Sequence, residues 1–395
     1  MSLLERAREL DAADPLAFAR ERFVLDPAVT YLDGNSLGAL PRGVAERVAE
    51  VITQDWGQLR IRSWTERGWW SAPERVGDRI APLLGVPAGH VVVGDSTSIT
   101  IFRALVALWR MVQDDGPGRS EVVVDASTFP TDAYLADSVA RLTGATVVRA
   151  DPDRLHTVLG ERTAVVLLNH VDYRTGRRHD LPALTAAVHA AGARIVWDLS
   201  HSAGVMPLDL ADHAVDIALG CSYKYLNGGP GAPSYLYVRD DLLPRLDQPL
   251  AGWCSHRDPF AMEPDYRAAT GITAARGGTP EILSLLALEA ALDVWDGVEL
   301  AAVRAKSLAL TDFLLECVAE ETASAVDCIT PAGDRRGGQI SLSCENADKV
   351  MAALIGRGVV GDFRPPDILR FGFSPLYNGF FDAHRAARAL GEVLA

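Results

Sequence analysis

Six short apolar runs between positions 90 and 240 constrain this chain more than any other feature. They are His90–Val93, Glu121–Val124, Thr163–Leu168, Arg194–Trp197, Val215–Leu219 and Ser234–Val238. They are rich in Val and Ile, and continuous rather than alternating. Alternation marks a strand with one wet face; a continuous run marks a strand buried on both, as in a parallel sheet. Between the runs lie stretches such as Ile99–Met111 and Leu181–Ala191, which read as helices. Strand–helix alternation predicts an α/β fold, with a mostly parallel sheet layered between crossover helices.

The last third changes character. Leu310, Phe313, Leu314 and Cys317 recur at the spacing of one helix face. Gln339–Ser343, Asp348–Ile355 and Leu369–Phe373 then read strand, helix, strand, and a final helix runs from Ala383 to the end. This predicts a smaller α+β C-terminal domain. The expected division is a helical N-terminal segment at 1–60 that packs with the small domain, a large domain at 61–285 and the small domain at 286–395. The Gly277–Pro280 stretch lies close to that second boundary.

Composition excludes several classes. A net charge of −14 disfavours nucleic acid or an anionic membrane as partner, since both need clustered Lys and Arg. No run reaches the ~18 apolar residues of a membrane span, and the charged N-terminus has no apolar core of a signal peptide. The five cysteines include no CxxC pair, which fits a reducing cytoplasm better than a disulfide framework. No metal is expected.

Four stretches carry chemistry. Gly94-Asp-Ser-Thr-Ser98 lies between a strand and a helix, where Ser96, Thr97 and Ser98 form either a phosphate cup or a plain N-cap. In Val196-Trp-Asp-Leu-Ser-His201, Asp198 falls at a strand's C-terminal end, where open α/β sheets bind ligands. It would suit a protonated pyridine nitrogen, with His201 bonding the same group or fixing Asp198; a structural Asp–His pair is the alternative. In Gly220-Cys-Ser-Tyr-Lys-Tyr-Leu-Asn-Gly-Gly-Pro-Gly231, Lys224 is either an imine-forming amine or a surface lysine beside a turn. In Phe129-Pro-Thr-Asp132, Phe129 either stacks on a flat ring or belongs to the core. Further on, Arg370 either grips a substrate carboxylate or makes a structural salt bridge.

Order along the chain favours the functional set. An anion cup, an aromatic ring, a strand-end Asp and a Lys follow one another as phosphate, ring face, ring nitrogen and aldehyde partner. Those are the parts of pyridoxal 5′-phosphate.

The longer strings carry a family resemblance. They include Tyr31-Leu-Asp-Gly-Asn-Ser-Leu-Gly38, Arg62-Ser-Trp64, Tyr173-Arg-Thr-Gly176, Trp197-Asp-Leu-Ser-His-Ser-Ala-Gly204, Gly278-Thr-Pro280 and Leu369-Arg-Phe-Gly-Phe-Ser-Pro-Leu-Tyr377. With the Lys224 loop, they span nearly the whole chain. The chain resembles the kynureninases, fold-type-I pyridoxal-phosphate enzymes of the aspartate aminotransferase superfamily. The resemblance implies a seven-stranded sheet in the large domain, a homodimer with shared active sites and a small amino-acid substrate. It implies hydrolysis of L-kynurenine or 3-hydroxykynurenine to an anthranilate and L-alanine. Lys224 would form the imine and act as base, Asp198 would hold the ring nitrogen, and Tyr223 would exchange a proton. Thr97, Ser98, Phe129, Asp132, Asn169 and His201 would contact the cofactor, with Trp253 and Thr279 completing the phosphate site from a second subunit. Arg370, Trp64 and Asn35 would contact substrate. Asn169 stands where the family pattern has Ser or Thr, and Glu281 and Asn378 also depart from it. Other expectations stay open: an aminotransferase or desulfurase-like lyase, a kynureninase for a ring-substituted substrate, and a non-catalytic scaffold.

Overall fold

Valine-rich runs can be buried on both faces only if helices cover both sides of the sheet they form. The chain does this, in a computed structural model that describes every residue except Pro117. In chain order the strands are β1 (Thr30–Tyr31), β2 (Val91–Val93), β3 (Glu121–Asp125), β4 (Thr146–Ala150), β5 (Thr163–Asn169), β6 (Arg194–Asp198), β7 (Ile217–Cys221), β8 (Ser234–Val238), β9 (Asp327–Cys328), β10 (Gln339–Ser343), β11 (Val359–Val360), β12 (Asp362–Arg364) and β13 (Ile368–Gly372). Seven of them form the large sheet in the order β2-β8-β7-β6-β5-β3-β4. Only β8 runs against the rest. The expected fold, a mostly parallel seven-stranded sheet between helices, is present.

The helix Thr97–Asp115 shows how the sequence makes these layers. Ser96 caps it, accepting from the Ile99 amide at 3.5 Å. Ile101, Ala104, Leu105, Leu108, Met111 and Val112 are buried at helical spacing, so one face lies on the sheet.

In the large sheet the expected runs depart most from the strands in two places, and outside it the short strands β1, β9, β11 and β12 were not expected. The run read at Val215–Leu219 forms its strand two residues later, at Ile217–Cys221, because Val215 is buried in the turn that precedes it. Strand β4 was not anticipated. It is an edge strand whose residues are mostly partly or fully exposed, so it lacks the continuous apolar signature of its neighbours.

The C-terminal part has its own four-stranded sheet, β12-β13-β10-β9. The helix Leu300–Glu321 buries Leu310, Phe313, Leu314 and Cys317 against it, with the final helix Phe380–Leu394. That helix starts three residues before the expected Ala383, since Gly379 and Asp382 cap it. Ala7, on the helix Leu3–Ala12, belongs to the same apolar cluster.

Candidate active site

Parallel strands bring their C-terminal ends to one edge of the sheet, and ligands bind there. Asn169 and Asp198 are the last residues of β5 and β6 and lie in register beside one another. Tyr223 and Lys224 follow β7, Thr97 and Ser98 open the helix after β2, and Phe129 and Asp132 begin the helix after β3. These eight residues and His201 line one cavity of about 210 Å³.

Asp198 is held by two groups: the Ser200 amide donates to it at 2.7 Å and the Asn169 amide at 3.1 Å. Asn169 also donates to Asp132 at 2.8 Å, and the Thr128 hydroxyl donates to Asn169 Oδ1. Burial, then the charge of Asp198, pushes the Asp132 carboxyl up to about 8. The two carboxyl groups thus share one amide.

In the same cavity, Lys224 Nζ lies 2.8 Å from His201 Nε2. Of the two roles considered for His201, fixing Asp198 is not the one found. Its Nδ1 instead meets Gln339 Oε1 at 3.1 Å. Burial, then the charges of Lys224 and Arg370, holds His201 well below its ordinary pKa, so the ring is neutral. Electrostatic coupling to Cys221, then burial, pushes the Tyr223 phenol up, so it keeps its proton at neutral pH.

Two of the longest sequence strings touch here. The Gly38 amide donates to the Tyr223 carbonyl at 2.8 Å. A Cβ on Gly38 would sit 2.3 Å from the Lys224 carbonyl oxygen, so only glycine allows this approach.

The remaining expected residues lie elsewhere. Arg370 is 1% exposed and paired with Asp362, its Nε 2.6 Å from one oxygen; it also donates to the Tyr173 carbonyl and to Ser36 Oγ. Asn35 is buried and does not line the cavity, its amide 3.4 Å from Gln339 Oε1. Trp64, Trp253 and Thr279 do not line the cavity. Trp64 and Trp253 both pack against Trp70, at 6.2 and 5.2 Å between ring centroids. Trp253 donates to Thr279 Oγ1 at 3.3 Å and is 39% exposed. Asn378, one of the departures, holds the Ser374 amide and the Tyr31 carbonyl.

Gln339, Asp362, Thr128 and Ser200 were not singled out from the sequence. Gln339 carried no distinguishing signal, since its strand reads Gln-Ile-Ser-Leu-Ser and the polar positions alternate with apolar ones along its length. Asp362 lay in a segment assigned to no element.

A bound pyridoxal phosphate needs an anion cradle, a partner for its ring nitrogen, a ring surface and an amine. The cavity offers all four. Thr97 and Ser98 begin a helix, where backbone amides lack intrahelical acceptors. Asp198 and Lys224 both border the space, and Phe129 stands at its edge, 42% exposed and edge-on to Tyr173 at 5.2 Å.

Known proteins resemble this chain along its length. The kynureninase C-terminal domain family matches residues 303–390. A kynureninase of Deinococcus radiodurans is 49% identical over 395 residues, covering 98% of this chain and 95% of that protein. This chain belongs to the kynureninase family. A family member from Burkholderia pseudomallei is 45% identical over 399 residues, covering 100% of this chain and 96% of that protein. Among solved structures, the Escherichia coli cysteine desulfurase CsdA superposes with a TM-score of 0.81 at 20% identity, covering 96% of this chain and 98% of that one. A C-DES mutant with glycine covalently linked to its PLP cofactor gives 0.83 at 18% identity, covering 94% and 98%. Those two likenesses show a shared fold. No cysteine lines the cavity of this kynureninase-family chain.

Proposed function

We propose that the cavity at Lys224 is the active site of a kynureninase, cleaving the Cβ–Cγ bond of L-kynurenine or 3-hydroxykynurenine with water to give an anthranilate and L-alanine. The observation that carries this is Lys224 and Asp198 bordering one cavity in a chain 49% identical to a kynureninase along its length. The cofactor is pyridoxal 5′-phosphate. When bound, it supplies an aldehyde that condenses with amines and a ring that accepts electrons from bonds broken at the amino acid.

The chain's own residues do the rest. Thr97, Ser98 and Tyr223 would hold the phosphate, Phe129 the ring face and Asp198 the ring nitrogen, with Asp132 and Asn169 behind it. Lys224, freed by the incoming amino acid, would take the Cα proton. The protonated Tyr223 phenol would supply a proton late in the reaction. Arg370 would receive the substrate carboxylate through its planar fork. A neutral His201 beside Lys224 leaves the amine a partner that accepts its proton.

Trp253 and Thr279 do not line this chain's own cavity, which supports a homodimer in which each subunit completes the other's phosphate site. Trp64 would then wall the aryl pocket. The division into segments 1–60, 61–285 and 286–395 and a cytoplasmic setting belong to the same proposal. Four of the five cysteines are buried and all are free, and no helix among the described residues is long and apolar enough to cross a membrane.

Incubation with each kynurenine, scoring anthranilate, 3-hydroxyanthranilate and alanine, tests the proposal. Turnover of one or both is expected. The substrate's keto acid formed without anthranilate or alanine would identify an aminotransferase instead, since transamination leaves the Cβ–Cγ bond intact.

A further inference from the structure

Gln339 sits where three distant parts of the chain meet. It opens β10, in the small sheet, and its side chain reaches into the large domain. Its Nε2 lies 3.1 Å from the Tyr173 carbonyl and 3.3 Å from Ser341 Oγ. A carbonyl oxygen can only accept, so the nitrogen of the Gln339 amide must face Tyr173. That leaves Oε1 toward His201 Nδ1 at 3.1 Å and toward the Asn35 amide at 3.4 Å. An amide oxygen also only accepts, so the hydrogen of the neutral imidazole is on Nδ1. Nε2, 2.8 Å from Lys224 Nζ, then carries a lone pair.

We propose that Gln339 is a positioning residue: it locks His201 in the Nδ1–H tautomer, turns its Nε2 lone pair toward Lys224, and so ties the lysine's proton to the seating of the small sheet. The lock is built from both sides. Gln339 pairs in register with Gly372 on β13, where a Cβ would lie 1.8 Å from Asn35 Oδ1. Asn35 is therefore clamped against the same strand that carries Arg370. The charged groups acting on His201 are Lys224, Arg370 and Arg364, with Asp362 bound to both arginines and Asp198 bordering the same cavity. Three cations around one ring oppose a second proton on it. Gln339 supplies the acceptor without supplying a negative charge, which a carboxylate there would do.

The role for Lys224 rests on the proposed function, but the tautomer does not. The test reads the imidazole directly. Full-length protein labelled with ¹⁵N-histidine is titrated by NMR from pH 6 to 9, before and after loading with pyridoxal phosphate. The His201 signals are assigned by their loss in His201→Gln. Wild type is expected to show Nδ1 protonated, Nε2 bare and no titration. Gln339→Glu keeps the acceptor but adds a charge, and is expected to raise the His201 pKa, read as a doubly protonated fraction appearing toward pH 6. Gln339→Met is similar in size but its thioether accepts only weakly, and is expected to release the tautomer to a mixture without that rise. A purely structural Gln339 would leave the tautomer unchanged in both variants while lowering their melting temperatures alike. That outcome, or an Nε2–H tautomer in wild type, overturns the proposal. Failure of kynurenine turnover would leave the tautomer result standing, so the two can fail separately.

Discussion

Arg370 and Asp362 face each other directly across β13 and β12 and form a two-point ion pair. With the guanidinium 1% exposed, an arriving substrate carboxylate must share Arg370 with Asp362 or use its remaining N–H groups. Asp362→Ala leaves a buried cation unpaired and is expected to cost about 3–5 kcal/mol of folding stability, read from urea midpoints. Arg370→Lys keeps the charge but loses the fork. Its KM for kynurenine is expected to rise about 10- to 100-fold, the value of one or two charged hydrogen bonds. An unchanged KM would remove Arg370 from the substrate site.

Lys224→Ala should abolish the covalent link to cofactor. Borohydride treatment followed by mass spectrometry is expected to find pyridoxyl on Lys224 in wild type and none in the variant. Turnover should fall at least about 10²- to 10⁴-fold, the range for losing a general base. Pyridoxyl trapped on a different lysine would reassign the site.

Asp132 makes the cofactor-free protein sensitive to pH. Burial beside Asp198 sets its carboxyl at about 8, while an unfolded Asp titrates near 3.9. Between those values the folded chain holds a proton that the unfolded chain has lost. Stability therefore falls as pH rises from about 4 to about 8, by up to about 1.4 kcal/mol per pH unit. Asp132→Asn has no such proton to hold. Its stability advantage over wild type should grow from pH 5 to pH 8 in urea melts, and a constant difference would contradict this.

Gly38→Ala introduces a methyl group 2.3 Å from the Lys224 carbonyl and 2.4 Å from Asn227 Oδ1. Backbone is the nearest obstacle, so the loop must shift. Overpacking of this kind costs about 1–3 kcal/mol. Lys224 should move with the loop, so cofactor affinity, measured by absorbance titration, is expected to weaken along with the melting temperature. A loss of stability with cofactor affinity intact would show that the strain relaxes away from Lys224.

Much of the large sheet was legible because its strands are buried on both faces, and burial leaves a local record in Val and Ile. Strand β4 left none, since one edge of it meets solvent. Asp198 and Lys224 were legible from their places after buried strands, and the cavity brings them together. What adjacency along the chain could not show was partnership. His201 lies three residues from Asp198 yet bonds Gln339, 138 positions away, and Asp198 is steadied instead by Asn169 from the next strand. Arg370 read equally as substrate grip or structural pair because its partner, Asp362, becomes a neighbour only when two strands align. Trp64, Trp253 and Thr279 were named by family resemblance, and no contact within one chain brings them to Lys224.

The lock at Gln339 also has a consequence for the order of synthesis. By the time a ribosome has added residue 240, every strand of the large sheet has been made, with Asp198 and Lys224 among them. The side chain that orients His201 comes about a hundred residues later, and Arg370 later still. A nascent chain can therefore build the floor of the cavity well before it can set the proton on its imidazole. Cofactor met early would find an amine and an acid but no finished site, and the enzyme becomes competent only once its last sheet has folded back on its first.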